Sequence, residues 1–168
     1  GQLKGLAGLR RCVAIDLPGN GRSGPGPVDL GGAIAALGDG DADLVGHSWG
    51  GHEVLAAWRH EAARIRSIAL LGVMFSADAL PPAPRAIRSS AALLARPVPI
   101  EDQQEVVRSI SVPLLVATGV HDNNTPAHLC RKLAATNPSA RWVEITSAGH
   151  MSPVDQPDQV NAALRRLW

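Results

Sequence analysis

Five short apolar runs constrain this chain more than any other feature. They fall at residues 12–16, 43–46, 67–73, 113–118 and 141–145. The middle runs are continuous rather than alternating, as Ser67-Ile68-Ala69-Leu70-Leu71 and Pro113-Leu114-Leu115-Val116-Ala117 show. A strand covered on one face alternates; a strand covered on both does not. Continuous runs therefore predict a mostly parallel sheet buried under helices on both faces.

Helical patterns lie between the runs, so the fold class reads as α/β. Val54, Leu55, Trp58 and Ala62 recur at helical spacing after the second run. After the fourth, Thr125 is placed to cap a helix, with Pro126 at its first position and Leu129, Cys130 and Leu133 as its buried stripe. Pro157 opens a last helix with Val160, Ala163, Leu164 and Leu167 on one face. Leu3, Leu6 and Leu9 read as the tail of a helix, and a short helix is expected around 33–37. Residues 75–104, rich in Ala, Pro and Arg, read as a small cap-like insert with one helix near 86–95. The 168 residues make one domain spanning 1–168.

Composition removes several function classes. A formal net charge of +1 argues against a nucleic-acid or anionic-membrane binder, which needs a basic patch. No apolar run approaches the ~18–20 residues of a membrane span, and residues 1–9 do not form a secretory leader. Cys12 and Cys130 make neither a disulfide framework nor a metal site. The expectation is a cytoplasmic protein with no metal and no cofactor, whose partner is a small molecule.

The sharpest motif is Gly46-His47-Ser48-Trp49-Gly50-Gly51. A G-x-S-x-G between a strand and a helix is the setting of a nucleophile elbow, where a strained turn lifts the serine hydroxyl off the sheet. The following helix start offers N–H groups to a developing oxyanion. A serine nucleophile needs a base, and the base needs an orienting carboxylate. Asp122 follows the fourth run and His150 the fifth, at the strand ends that share an edge with the elbow in a parallel sheet. His121 adjoins Asp122 and is a rival base, although sequence neighbours usually point apart in a loop. His47 reads as a packing and hydrogen-bonding residue, and His52, His60 and His128 as structural or surface residues. Gly19-Asn20-Gly21-Arg22-Ser23-Gly24 fits a dinucleotide fingerprint, but Pro25 and Pro27 follow where a helix must begin, so nucleotide binding is rejected.

Four blocks together resemble the α/β-hydrolase superfamily, in its esterase, lipase and haloperoxidase-like branch. They are the stretch from Asp16 to Ser23, the elbow, Gly119-Val120-His121-Asp122 with Pro126, and Ala148-Gly149-His150-Met151. The resemblance implies Ser48 as nucleophile, His150 as general acid/base, Asp122 as orienting acid and the Trp49 backbone N–H as an oxyanion donor. It also implies that the first strands and a second oxyanion loop do not precede residue 12. Such a loss costs on the order of 10²–10³ in rate and leaves a sheet edge through which copies of the chain could pair. The expected activity is hydrolysis of a small ester or related acyl compound. The alternative is an impaired or inactive hydrolase acting as a binding or structural module.

Overall fold

The computed structural model describes residues 1–38, 40–73 and 100–168. Most of the predicted insert at 75–104, including the helix expected near 86–95, lies outside the described residues. The elements run α1 (Gln2–Leu6), α2 (Leu30–Leu37), β1 (Ala42–His47), α3 (Trp49–Glu61), a 3₁₀ turn (Ala62–Arg64), β2 (Ile65–Leu71), α4 (Ile100–Ser109), β3 (Leu114–Gly119), α5 (Ala127–Ala134), β4 (Ala140–Ile145), α6 (Ser152–Asp155) and α7 (Pro157–Arg165). The four strands form one parallel sheet in the order β1-β2-β3-β4.

The two central strands explain the continuous apolar runs. On β2, Ile68 and Leu70 face one core with Leu114 and Val116 of β3, while Ala69 and Leu71 face a second with Leu115 and Ala117. The first core is closed by Val54, Leu55 and Trp58 of α3, Val106 and Val107 of α4, and Cys130 and Leu133 of α5. The second is closed by Leu6 of α1 and by Val160, Ala163 and Leu164 of α7. Each large apolar side chain buried this way contributes about 1.5–3 kcal/mol. Among the described residues, no helix is long and apolar enough to cross a membrane.

The first predicted strand does not form. Residues 12–16 join no ladder, and Val13 and Ile15 stand 47% and 48% exposed. A β-rich run becomes a strand only where a neighbour pairs with it, and β1 is the last strand on that side of the sheet. The segment is held instead by side chains: Arg11 Nη1 donates to the Leu37 carbonyl at 2.7 Å, and Asp16 accepts the Arg22 N–H at 2.9 Å. Val45 of β1 is correspondingly exposed at 42%.

Smaller differences have local causes. The helix expected around 33–37 begins earlier, because Asp29 caps it by accepting the Gly32 N–H at 2.7 Å. The helix after β3 begins at Ala127 rather than Pro126, and Thr125 does not cap it; its hydroxyl is drawn to Asp122. Of the three leucines near the N-terminus only Leu6 is buried, because α1 presents a single turn to α7.

Candidate active site

The site lies along the C-terminal edge of the sheet, and β1 supplies its centre. The strand ends at His47, and Ser48 takes φ 52° and ψ −121° before α3 starts at Trp49. A non-glycine residue with positive φ costs on the order of 1–3 kcal/mol and persists only where its surroundings hold it. They do so here. The Ser48 N–H donates to the Leu71 carbonyl at 2.9 Å, extending the β1–β2 ladder by one bond. Gly46 lets the helix start fold back on the strand: a Cβ there would lie 2.5 Å from Gly51 Cα and 2.6 Å from the Gly50 oxygen. Gly51 in turn packs against Val73, leaving no room for a side chain. The Trp49 N–H heads α3, where the first N–H groups have no intrahelical partner.

Asp122 and His150 reach Ser48 from the loops after β3 and β4. His150 Nε2 lies 2.9 Å from Ser48 Oγ, and His150 Nδ1 lies 2.9 Å from Asp122 Oδ2. An ionised carboxylate can only accept, so Nδ1 carries the proton and Nε2 presents its lone pair to the serine hydroxyl. Of the two histidines considered as base, the structure brings His150 to Ser48. His121 is exposed, and its backbone N–H donates to the Ala148 carbonyl at 2.9 Å.

Asp122 is buried, at 4% exposure. Burial alone would push its carboxyl up. Hydrogen bonds from His150 and from the Thr125 hydroxyl and backbone outweigh that and leave its pKa at about 2. The Asn124 and Thr125 N–H groups each donate to Oδ1 at 2.8 Å. Thr118 Oγ1 donates to Oδ2 at 3.0 Å, and Thr125 Oγ1 donates to the same oxygen. The two threonines were not identifiable from the sequence as part of the site. Neither belongs to a motif, and only the fold of the turn after β3 aims their hydroxyls at the carboxylate.

Gly72 carries no sequence signal for a similar reason. It follows β2 with φ +54°, and its N–H donates to the Ala117 carbonyl at 2.8 Å. A Cβ there would lie 3.2 Å from Asp122 Oδ2, 3.3 Å from Thr125 Oγ1 and 3.5 Å from His150 Nδ1. The aspartate and histidine therefore rest on bare backbone between β1 and β3.

The other candidate residues take supporting places. His47 Nε2 is 2.7 Å from the His150 carbonyl oxygen, and burial pushes its pKa down. Trp49 Nε1 donates to Glu53 Oε1 at 3.1 Å, and burial raises the Glu53 carboxyl against that bond. His52 is buried and accepts from Gln103 Nε2 at 3.0 Å, whereas His60 and His128 are exposed. The glycine-rich loop at 19–24 precedes no helix until Leu30. Among the described residues, no three His, Cys, Asp or Glu side chains cluster as metal ligands would. The line Asp122–His150–Ser48 can take a proton from the hydroxyl and hold the resulting imidazolium against a buried carboxylate.

Comparisons with known proteins bear on the same architecture. A family model described as "Alpha/beta hydrolase family" matches residues 2–105, more than half of the chain. The "Putative non-heme bromoperoxidase BpoC" of Mycobacterium tuberculosis is 34% identical over 61 residues, which is 36% of this chain and 23% of that protein. The match thus spans less than a quarter of that curated relative. A thermophilic esterase from Thermogutta terrifontis superposes with a TM-score of 0.71 at 24% identity, covering 90% of this chain and 76% of the other. A meta-cleavage product hydrolase from Pseudomonas fluorescens gives 0.75 at 16% identity, covering 99% and 82%. At such identities the likeness shows a shared fold.

Proposed function

Given that the chain belongs to the alpha/beta hydrolase family, we propose that it is a serine hydrolase that cleaves a small ester or related acyl compound. The observation that carries this reading is the unbroken line from Asp122 through His150 to Ser48, with both contacts at 2.9 Å and the serine on a strained elbow. Ser48 Oγ attacks the substrate carbonyl as its proton passes to His150 Nε2. Asp122 keeps Nδ1 protonated and stabilises the imidazolium. The Trp49 N–H, at the positive end of α3, faces the oxyanion. His150 then returns the proton to the leaving alcohol, and an ester on Ser48 Oγ remains. A water molecule gives its proton to His150 and attacks that ester. The acid departs, and the proton returns to Oγ.

The proposal is tested by turnover of p-nitrophenyl acetate together with labelling by a fluorophosphonate. Ser48→Ala is expected to abolish labelling and to lower kcat on the order of 10⁴-fold or more. Equal labelling of wild type and Ser48→Ala, or hydrolysis that does not depend on Ser48, would overturn it, and a wild type that neither labels nor turns over would favour a binding or structural module.

A further inference from the structure

We propose that His47 is a positioning residue, which straps the loop carrying His150 to the strand carrying Ser48 and keeps the base in place after the serine has been acylated. This rests on the serine-hydrolase reading above.

The need for a strap follows from the topology. Ser48 leaves β1 and His150 follows β4, the two opposite edges of the sheet. With neighbouring strands about 4.8 Å apart, the ends of β1 and β4 are separated by about 14 Å. The loop after β4 must fold back across β3 and β2 to reach the serine. Over β3 it is held by backbone: the His121 N–H donates to the Ala148 carbonyl at 2.9 Å. Gly119 packs so closely on the Ala148 and Gly149 carbonyls that no Cβ fits there. At the far end it meets β1 through two hydrogen bonds, His150 Nε2 to Ser48 Oγ at 2.9 Å and His47 Nε2 to the His150 carbonyl at 2.7 Å.

These two bonds do not have the same lifetime in the reaction. The first depends on the serine proton, and an ester oxygen has none to donate. The second joins one side chain to the main chain of the base and involves no reacting atom. A carbonyl oxygen only accepts, so His47 must donate from Nε2–H. The two rings lie 5.1 Å apart, centroid to centroid, tilted by 43°. Burial, with His150 close by, pushes the His47 pKa down, which favours a neutral ring that does not oppose the charge formed on His150. The residue before the nucleophile therefore holds the base while water is being activated, when the nucleophile itself no longer does.

The test separates the two half-reactions. In His47→Leu the donor is lost, and deacylation should slow more than acylation. Displacement of a base by about 1 Å can cost on the order of 100-fold. The expected result with p-nitrophenyl acetate is a kcat lower by about 30–100-fold, a kcat/KM lower by less than about 5-fold, and a stoichiometric burst of p-nitrophenol as acyl-enzyme accumulates. His47→Gln, whose amide N–H reaches about as far as Nε2–H, should recover kcat to within about 5-fold of wild type. Equal kinetics for the Leu and Gln variants, or kcat and kcat/KM falling by the same factor, would overturn the proposal. A second readout needs neither turnover nor a variant. The ¹⁵N shifts of His47 in the wild-type protein should show a neutral ring protonated at Nε2, and protonation at Nδ1 alone would overturn the strap. Loss of Ser48-dependent hydrolysis in wild type would instead refute the proposed function, leaving the His47 tautomer to decide the hydrogen bond.

Discussion

Two aspartates with little-exposed side chains sit at opposite ends of the sheet, and the pKa of each is lowered from the usual carboxylate value. Asp43, at the start of β1, is opposed by desolvation but stabilised by Arg66, Ser67 and Arg10. Arg66 binds it through two nitrogens, Arg10 Nε lies 3.2 Å away and Ser67 Oγ donates at 2.7 Å. Ser67 also accepts from Trp168 Nε1 at 3.1 Å, so the cluster ties the C-terminus to β1 and β2. Among the described residues, the donors to Asp122 are two threonine hydroxyls, two backbone N–H groups and an imidazole, with no arginine or lysine. The low pKa alone does not distinguish them. The partners do. Fixed cations neutralise Asp43, and its charge is spent on structure. Neutral donors leave the charge of Asp122 facing His150, which can gain a proton.

The comparison breaks most visibly if the carboxylates are neutralised in turn. Asp122→Asn should lower kcat for p-nitrophenyl acetate by about 10³–10⁴-fold, because the amide no longer dictates the His150 tautomer. Asp43→Asn should leave kcat within about 3-fold. It should instead cost about 2 kcal/mol of unfolding free energy in urea, the range of a hydrogen-bonded buried charge. A kcat loss of similar size for both variants would erase the distinction.

Acid titration sharpens it. The folded Asp122 carboxyl sits at about 2, below the unfolded value of about 3.9. Its contribution is therefore complete above the unfolded value and is lost as pH falls toward 2. The stability gap between wild type and Asp122→Asn should narrow by about 1–2 kcal/mol between pH 7 and pH 2.5, measured by urea unfolding. A gap independent of pH would contradict the buried hydrogen-bonded carboxylate.

The smallest effect concerns the backbone beneath the site. Gly72→Ala places a Cβ at φ +54° against Asp122 and Thr125. It should cost about 1 kcal/mol of stability and lower kcat by about 10-fold as the aspartate shifts. Gly50→Ala, where a Cβ meets open space, should change both much less. Equal effects would show that the ground under the aspartate is not specially constrained.

Much of the site was readable from residue types and order. The glycines around Ser48 announce a tight turn, and Gly46 and Gly51 are the positions where a Cβ would collide as the helix start folds back on its own strand. Asp122 and His150 were legible because each follows an apolar run, and parallel strands deliver their C-terminal loops to one edge. Residues 12–16 depart from expectation for the complementary reason: their composition is that of a strand, but pairing depends on a neighbour far away in sequence. Thr118 and Thr125 carried no signal, since a threonine near a strand end has many uses and only one orientation reaches a carboxylate. His47 was visible as part of the elbow, but its bond to the His150 carbonyl depends on a loop 103 residues away.

The sequence by itself determined the local terms: that the two central runs are buried, where the chain turns sharply, and which residue types have the chemistry to exchange a proton. Those follow from side-chain polarity, backbone sterics and intrinsic acidity, all properties of short stretches. The tertiary structure alone decided which histidine meets the serine, what surrounds Asp122, that Gly72 lies beneath it, and that residues 12–16 remain unpaired. Each of these is set by register and loop paths between strands distant in sequence, where differences of about an ångström separate a hydrogen bond from no contact.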